Sequence, residues 1–204
     1  MSGENQNPLE PQKSNKLKWL IPGGLFLIFL AGIIFSYRQH PGGTPRELPQ
    51  LSQERLNNAG AAPDFEVSDL NGAKVRLKDF RGKAVLVNFW SITCPACLME
   101  MKSLESLSQQ LSGKPFALVA ITSDDSDQVR QFLDKTGSKI PAYFDYKSEA
   151  HQKYGAYYLP ASFVIDPEGR LVDQFAGAAD WSNPSVISYF QKLIELYQPN
   201  KPAP

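Results

Sequence analysis

Cysteine is nearly absent from this chain: 204 residues hold only two, Cys94 and Cys97. Two thiols cannot staple a disulfide-rich scaffold, and they are too few for a zinc site of four cysteines. Net charge is absent as well, because 21 basic residues balance 21 acidic ones. That balance argues against a nucleic-acid binder relying on a large positive field. No short internal repeat is visible, so nothing suggests a repeat architecture. The one long apolar run lacks a small-x-small cleavage pattern immediately after it, and no cysteine follows there to accept a lipid.

That run, Trp19 to Tyr37, is free of charge over nineteen residues. As a helix it would measure roughly 28 Å, close to the hydrocarbon thickness of about 30 Å. Lys13, Lys16 and Lys18 precede it and only Arg38 lies just beyond, with Trp19 and Tyr37 suited to the two interfaces. The expectation is an uncleaved single-pass anchor in a bacterial inner or cytoplasmic membrane, its N-terminus cytoplasmic and the rest periplasmic or otherwise extracytoplasmic. A cleaved signal would export the domain equally, and either route leads to a compartment where a disulfide persists. The expected organisation is a cytoplasmic tail (1–18), the anchor (19–37), a linker (38–62), one folded domain (63–198) and a short tail (199–204). A short helix around Leu48 to Leu56 is expected within the linker. A hydrophobic fraction of 42%, with 11% aromatics, suffices for one core of ordinary size.

Within the domain, Asp64 to Val67 and Lys74 to Leu77 read as short strands around the Asn71-Gly72 turn. Val85 to Trp90 and Phe116 to Ile121 are continuous apolar runs of the kind buried inside a sheet. Between them, Leu98, Met101, Leu104, Leu107 and Leu111 recur at helical spacing. Ser123 or Asp124 is expected to cap a second helix whose inward stripe is Val129, Phe132 and Leu133. Tyr143-Phe144-Asp145 precedes a weaker helical stretch, Ser148 to Tyr154. Ser162 to Ile165 and Leu171 to Phe175 flank Asp166-Pro167-Glu168-Gly169 as a hairpin, and Asn183-Pro184 opens a last helix. The fold class is therefore α/β, a central mixed sheet flanked by helices and preceded by one transmembrane helix.

Cys94-Pro95-Ala96-Cys97 stands where the first buried strand gives way to the first helix. A short turn there places Cys94 at a helix N-terminus, where unpaired amides favour an anionic sulfur. Cys97 lies one turn inward, protonated longer, and can attack a mixed disulfide formed on Cys94. Dithiol exchange is the favoured reading, with metal handling and a passive bridge as its alternatives.

The stretch from Val87 through Trp90 to Cys97 resembles the active-site segment of thioredoxin-fold proteins, and more closely the membrane-anchored TlpA/ResA/CcmG group of extracytoplasmic thiol-disulfide oxidoreductases. The likeness runs from about Pro63 to Tyr197, including Tyr154-Gly155, Leu159-Pro160, Phe163-Val164-Ile165-Asp166, Gly169 and Gly177. By resemblance, Pro160 is the cis proline facing the cysteines, and Leu159 offers its backbone to an incoming peptide. Glu100 matches an acidic residue near the second cysteine and is expected to accept or relay its proton. Asn88 stands where classical thioredoxins have a buried aspartate. Thr93 and Pro95 border Cys94 on the substrate side, and Trp90 packs beneath the turn with a possible substrate contact. Thr93 replaces a tryptophan common in relatives, and Lys102 a helix-kinking proline.

His151, a distant histidine of the kind used by copper-handling proteins on this fold, is expected in a surface or core role. The resemblance implies no cofactor. It implies disulfide-containing clients such as apocytochrome c or copper-site proteins, a transmembrane thiol donor of the DsbD or CcdA kind, and net reduction. Oxidase, isomerase and copper-chaperone roles are the alternatives.

Overall fold

Alternation along one strand sets the whole arrangement. Strand β4 (Ala84–Phe89) is buried at all six positions, so both of its faces must be covered. Ala84 and Leu86 point into one apolar cluster, while Val85, Val87 and Phe89 point into another. The computed structural model describes residues 51–197. In chain order these form α1 (Gln53–Asn58), β1 (Gly60–Ala61), β2 (Glu66–Asp69), β3 (Lys74–Arg76), a 3-10 turn (Leu77–Phe80), β4, α2 (Pro95–Gln110) and β5 (Phe116–Thr122). There follow α3 (Ser126–Thr136), β6 (Ala142–Phe144), α4 (Glu149–Tyr154), β7 (Ala161–Ile165), β8 (Arg170–Ala176) and α5 (Pro184–Leu196).

The eight strands form one sheet in the order β1-β8-β7-β4-β5-β6-β2-β3. β5 runs parallel to β4 and to β6, whereas β7 pairs antiparallel with β4 and β8. Residues of α2, α3 and α5 fill the cluster on one face, and Ala150 and Tyr154 of α4 join the cluster on the other. This is the thioredoxin-like mixed sheet that the resemblance implies. Helix starts follow local chemistry. Pro95 and Pro184 occupy first-turn positions, where the missing N–H costs nothing, and Asn183 caps α5 through the Ser185 N–H. α2 continues unbroken through Lys102.

Three expectations change. The transmembrane helix expected over 19–37 lies outside the described residues, as do the tails at 1–18 and 199–204. Among the described residues, no helix is long and apolar enough to cross a membrane. The fold is therefore corrected to the thioredoxin-like layers without that helix, and the single-pass topology and extracytoplasmic placement are not carried further. Second, the expected linker at 38–62 ends in elements of the sheet. α1 buries Leu56, and β1 pairs with the outer edge of β8. Third, the cap of α3 is Asp125, which accepts the Asp127 and Gln128 N–H groups; neither Ser123 nor Asp124 does so.

Candidate active site

The end of β4 delivers Trp90 and then the turn Ser91-Ile92-Thr93, after which Cys94 caps α2. The Cys94 sulfur accepts the Cys97 N–H at 3.2 Å, so an amide of the first helical turn points at it. Both cysteines are joined in a disulfide with their Cα atoms 5.3 Å apart. Their exposure differs sharply. Cys94 is half-buried, whereas Cys97 is 1% exposed and belongs to the core cluster. Cys94 is thus the more exposed residue of the pair, and its sulfur is the one that faces the helix N-terminus.

Glu100 lies on α2 three positions after Cys97, and both side chains are buried. Its Oε1 accepts the Asn88 amide at 2.8 Å. Its Oε2 accepts the Ala179 N–H at 2.9 Å and the Trp181 indole N–H at 3.0 Å. Burial pushes the carboxyl above the usual carboxylate range, and the donors from Ala179, Trp181 and Asn88 oppose that rise. The Asn88 amide also donates to the Ser162 hydroxyl at 2.8 Å. Asn88 Oδ1 and Trp90 Nε1 are buried without a hydrogen-bond partner among the described residues.

Just before the neighbouring strand β7, the Leu159–Pro160 bond is cis. Phe89 pairs with Ala161, so Pro160 lies one step beyond, at the end of β4 that turns toward Cys94. The Pro160 carbonyl accepts the Gly177 N–H at 2.8 Å. The Leu159 peptide N–H and carbonyl carry no hydrogen bond among the described residues, while its side chain packs against the clusters on both faces. Tyr157 and Tyr158, just before it, are 73% and 86% exposed. They adjoin an open cleft of about 350 Å³ lined by Tyr154, Tyr158, Ala161, Phe163 and Gln174 among others.

Thr93 and Pro95 are exposed beside Cys94. Trp90 is different. It is 1% exposed, sits in the core cluster and packs toward Phe132 with ring centroids 6.1 Å apart. His151 shares a 2.8 Å hydrogen bond with the buried Asp145 and lies edge-on to Phe89, with ring centroids 4.7 Å apart. Among the described residues, no group of three or more histidines, cysteines and acids is placed to hold a metal.

Two residues were missed from sequence. Trp181, in the small polar segment after β8, closes over α2, and its only signal is an aromatic among alanine, aspartate and serine. Asp124 binds the turn before Cys94 rather than the helix after it.

Comparison with known proteins agrees with this geometry. The AhpC/TSA family model matches residues 59–174. The thiol-disulfide oxidoreductase ResA of Bacillus anthracis is 36% identical over 142 residues, which cover 69% of this chain and 81% of that protein. ResA of Bacillus cereus is 31% identical over 182 residues, 89% of this chain and 98% of that one. Among solved structures, a putative thiol:disulfide interchange protein DsbE from Chlorobium tepidum superposes with a TM-score of 0.57 at 26% identity, covering 68% of this chain and 95% of that chain.

Proposed function

Because this chain belongs to the AhpC/TSA family and to the ResA-type thiol-disulfide oxidoreductases, we propose that it works as a reductant of disulfides in client proteins. The observation that carries this reading is the asymmetry of the cysteine pair: a half-buried Cys94 whose sulfur faces an amide, with the fully buried Cys97 behind it.

In the reduced protein the Cys94 thiolate attacks one sulfur of a client disulfide. The client's other sulfur leaves as a thiolate, and a mixed disulfide forms. Cys97 then loses its proton and attacks the Cys94 sulfur, which releases the second client thiol and leaves Cys94–Cys97 oxidised. Two electrons pass to the client in one cycle. Glu100 is the acceptor for the Cys97 proton, because it is buried on the same helix and its raised proton affinity suits it to hold one. The client backbone pairs in a short, strand-like contact with the free peptide groups of Leu159 beside cis Pro160. Thr93 and Pro95 form the exposed border on the other side of Cys94.

Clients of the class implied by resemblance are the haem-attachment cysteines of apocytochrome c or cysteines of copper-site proteins. A thiol donor of the DsbD or CcdA kind returns the electrons. The deciding experiment is capture in cells with Cys97→Ala, which blocks the second step. Mixed disulfides that depend on Cys94 are expected, and their absence from a folded variant refutes the exchange. A reduction potential well above about −150 mV would make the protein an oxidant instead.

A further inference from the structure

Asp124 holds a half-buried carboxylate that neither step of the exchange uses. It follows the end of β5, the parallel neighbour of β4, and reaches sideways into the turn that carries the attacking sulfur. Its Oδ2 accepts the Ile92 N–H at 2.7 Å, and its Oδ1 accepts the Ser91 hydroxyl at 3.0 Å. Ser91 passes that hold along the turn. Its Oγ accepts the Thr93 N–H at 3.1 Å, and its carbonyl accepts the Cys94 N–H at 3.2 Å. Helix capping does not explain Asp124, because Asp125 alone performs it. The Asp124 N–H is itself fixed on the buried Thr122 hydroxyl at 3.1 Å.

We infer that Asp124 is a positioning residue for Cys94, its carboxylate holding the Ser91–Thr93 turn so that the sulfur meets the Cys97 N–H. The inference deepens the proposed exchange and rests on Cys94 as the attacking group. Two effects of Asp124 oppose each other. As a negative charge it disfavours a nearby thiolate, whereas as an anchor it aligns that thiolate with an amide. Alignment wins, because the amide touches the sulfur directly at 3.2 Å while the carboxylate is spent on two donors of the turn.

Other titratable groups around the turn are few. α2 contributes Cys97 and the buried Glu100, and the α3 terminus contributes Asp125, committed to its helix. Asp180, after β8, is engaged by the Ser182 N–H and hydroxyl, and the Leu159-Pro160 segment brings no charge.

The test uses the reduced full chain carrying Cys97→Ala, so that Cys94 is the only thiol, and follows alkylation by iodoacetamide against pH. Adding Asp124→Ala is expected to raise the midpoint by about one pH unit, a roughly tenfold lower rate below it. Asp124→Asn keeps an oxygen for the Ile92 N–H and should recover part of the loss; Ser91→Ala should move the midpoint the same way by less. A midpoint unchanged despite a lower melting temperature would reduce Asp124 to structural support. A lowered midpoint would mean that its charge dominates, and either result overturns the inference. Should Asp124→Ala fail to fold, the other two variants decide on the same readout. Failure of the functional reading looks different: Cys94 would titrate as described yet never form a mixed disulfide with a client.

Discussion

Glu100 is caught between two demands that its surroundings make in opposite directions. Burial at 2% exposure favours the neutral acid, yet every group bonded to the carboxylate is a donor. A proton arriving there meets Asn88, Ala179 and Trp181, none of which presents an acceptor in this arrangement. Desolvation is the larger influence, so the residue holds a proton more firmly than an ordinary glutamate while staying ionised more readily than an unsupported buried one. That poise suits a transient acceptor. Glu100→Gln is therefore expected to slow resolution of a mixed disulfide by roughly a hundredfold or more, in line with general-base contributions of about 10²–10⁴. Alkylation of Cys94 should change much less. Stopped-flow decay of a preformed mixed disulfide checks this, and equal rates in variant and wild type would remove Glu100 from the mechanism. Glu100 itself was legible only through the family resemblance, which implies an acidic residue three positions after the second cysteine. Two of its donors were not, because Ala179 and Trp181 lie 79 and 81 residues away and carry no pattern pointing back to α2.

At the scale of elements, legibility followed the length and strength of periodicity. β4, α2, β5, the β7–β8 hairpin and α5 could be read because each repeats its signal over several residues or carries a proline or glycine at its boundary. The expected caps of α3, Ser123 or Asp124, lie two and one residues before the observed one, since three successive polar residues are equally good caps on paper. Only the neighbouring turn distinguishes Asp124, which it engages, from Asp125. A short helix was expected around Leu48 to Leu56 and is found at Gln53–Asn58, but its docking and the pairing of β1 were illegible for a related reason. A six-residue helix that buries one leucine has too few turns to show an apolar stripe. Its docking shows only in three dimensions, where Leu56 enters the core and Arg55 pairs with Asp173 of β8. Leu56→Ala is accordingly expected to destabilise the protein by about 2–4 kcal/mol, the range for emptying a buried leucine site. At roughly 2–4 °C per kcal/mol for a domain of this size, the melting temperature should fall by about 5–15 °C. Reduction of a small disulfide by the folded variant should proceed at an unchanged rate. A melting temperature equal to wild type would return α1 to the linker.

Among the described residues of the whole molecule, two buried carboxylates have a raised proton affinity. Glu100 backs the cysteine pair, while Asp173 joins β8 to Tyr189 of α5 at 3.0 Å and to Arg55 of α1. Desolvation raises both above their ordinary values of 4.5 and 3.8, against the Tyr189 hydrogen bond and the Arg55 charge in the case of Asp173. The consequence for stability has a definite sign. Between the ordinary and the raised value, the folded chain binds a proton that the unfolded chain releases, so unfolding is opposed more strongly as acid is added. The contribution is complete below the unfolded value and disappears as pH rises through the folded one. Each group can add at most about 1.4 kcal/mol per pH unit across its window. Denaturant unfolding of the oxidised protein beside Glu100→Gln and Asp173→Asn isolates these windows, because all other carboxylates are common to each pair. The stability of wild type relative to either variant should improve as the pH is lowered toward the ordinary values of 4.5 and 3.8. A difference independent of pH, or one that grows as pH rises, would mean that the donors around these carboxylates outweigh their burial. Glu100 would then be an anion fixed in the resting fold, unsuited to collect the proton that Cys97 must lose.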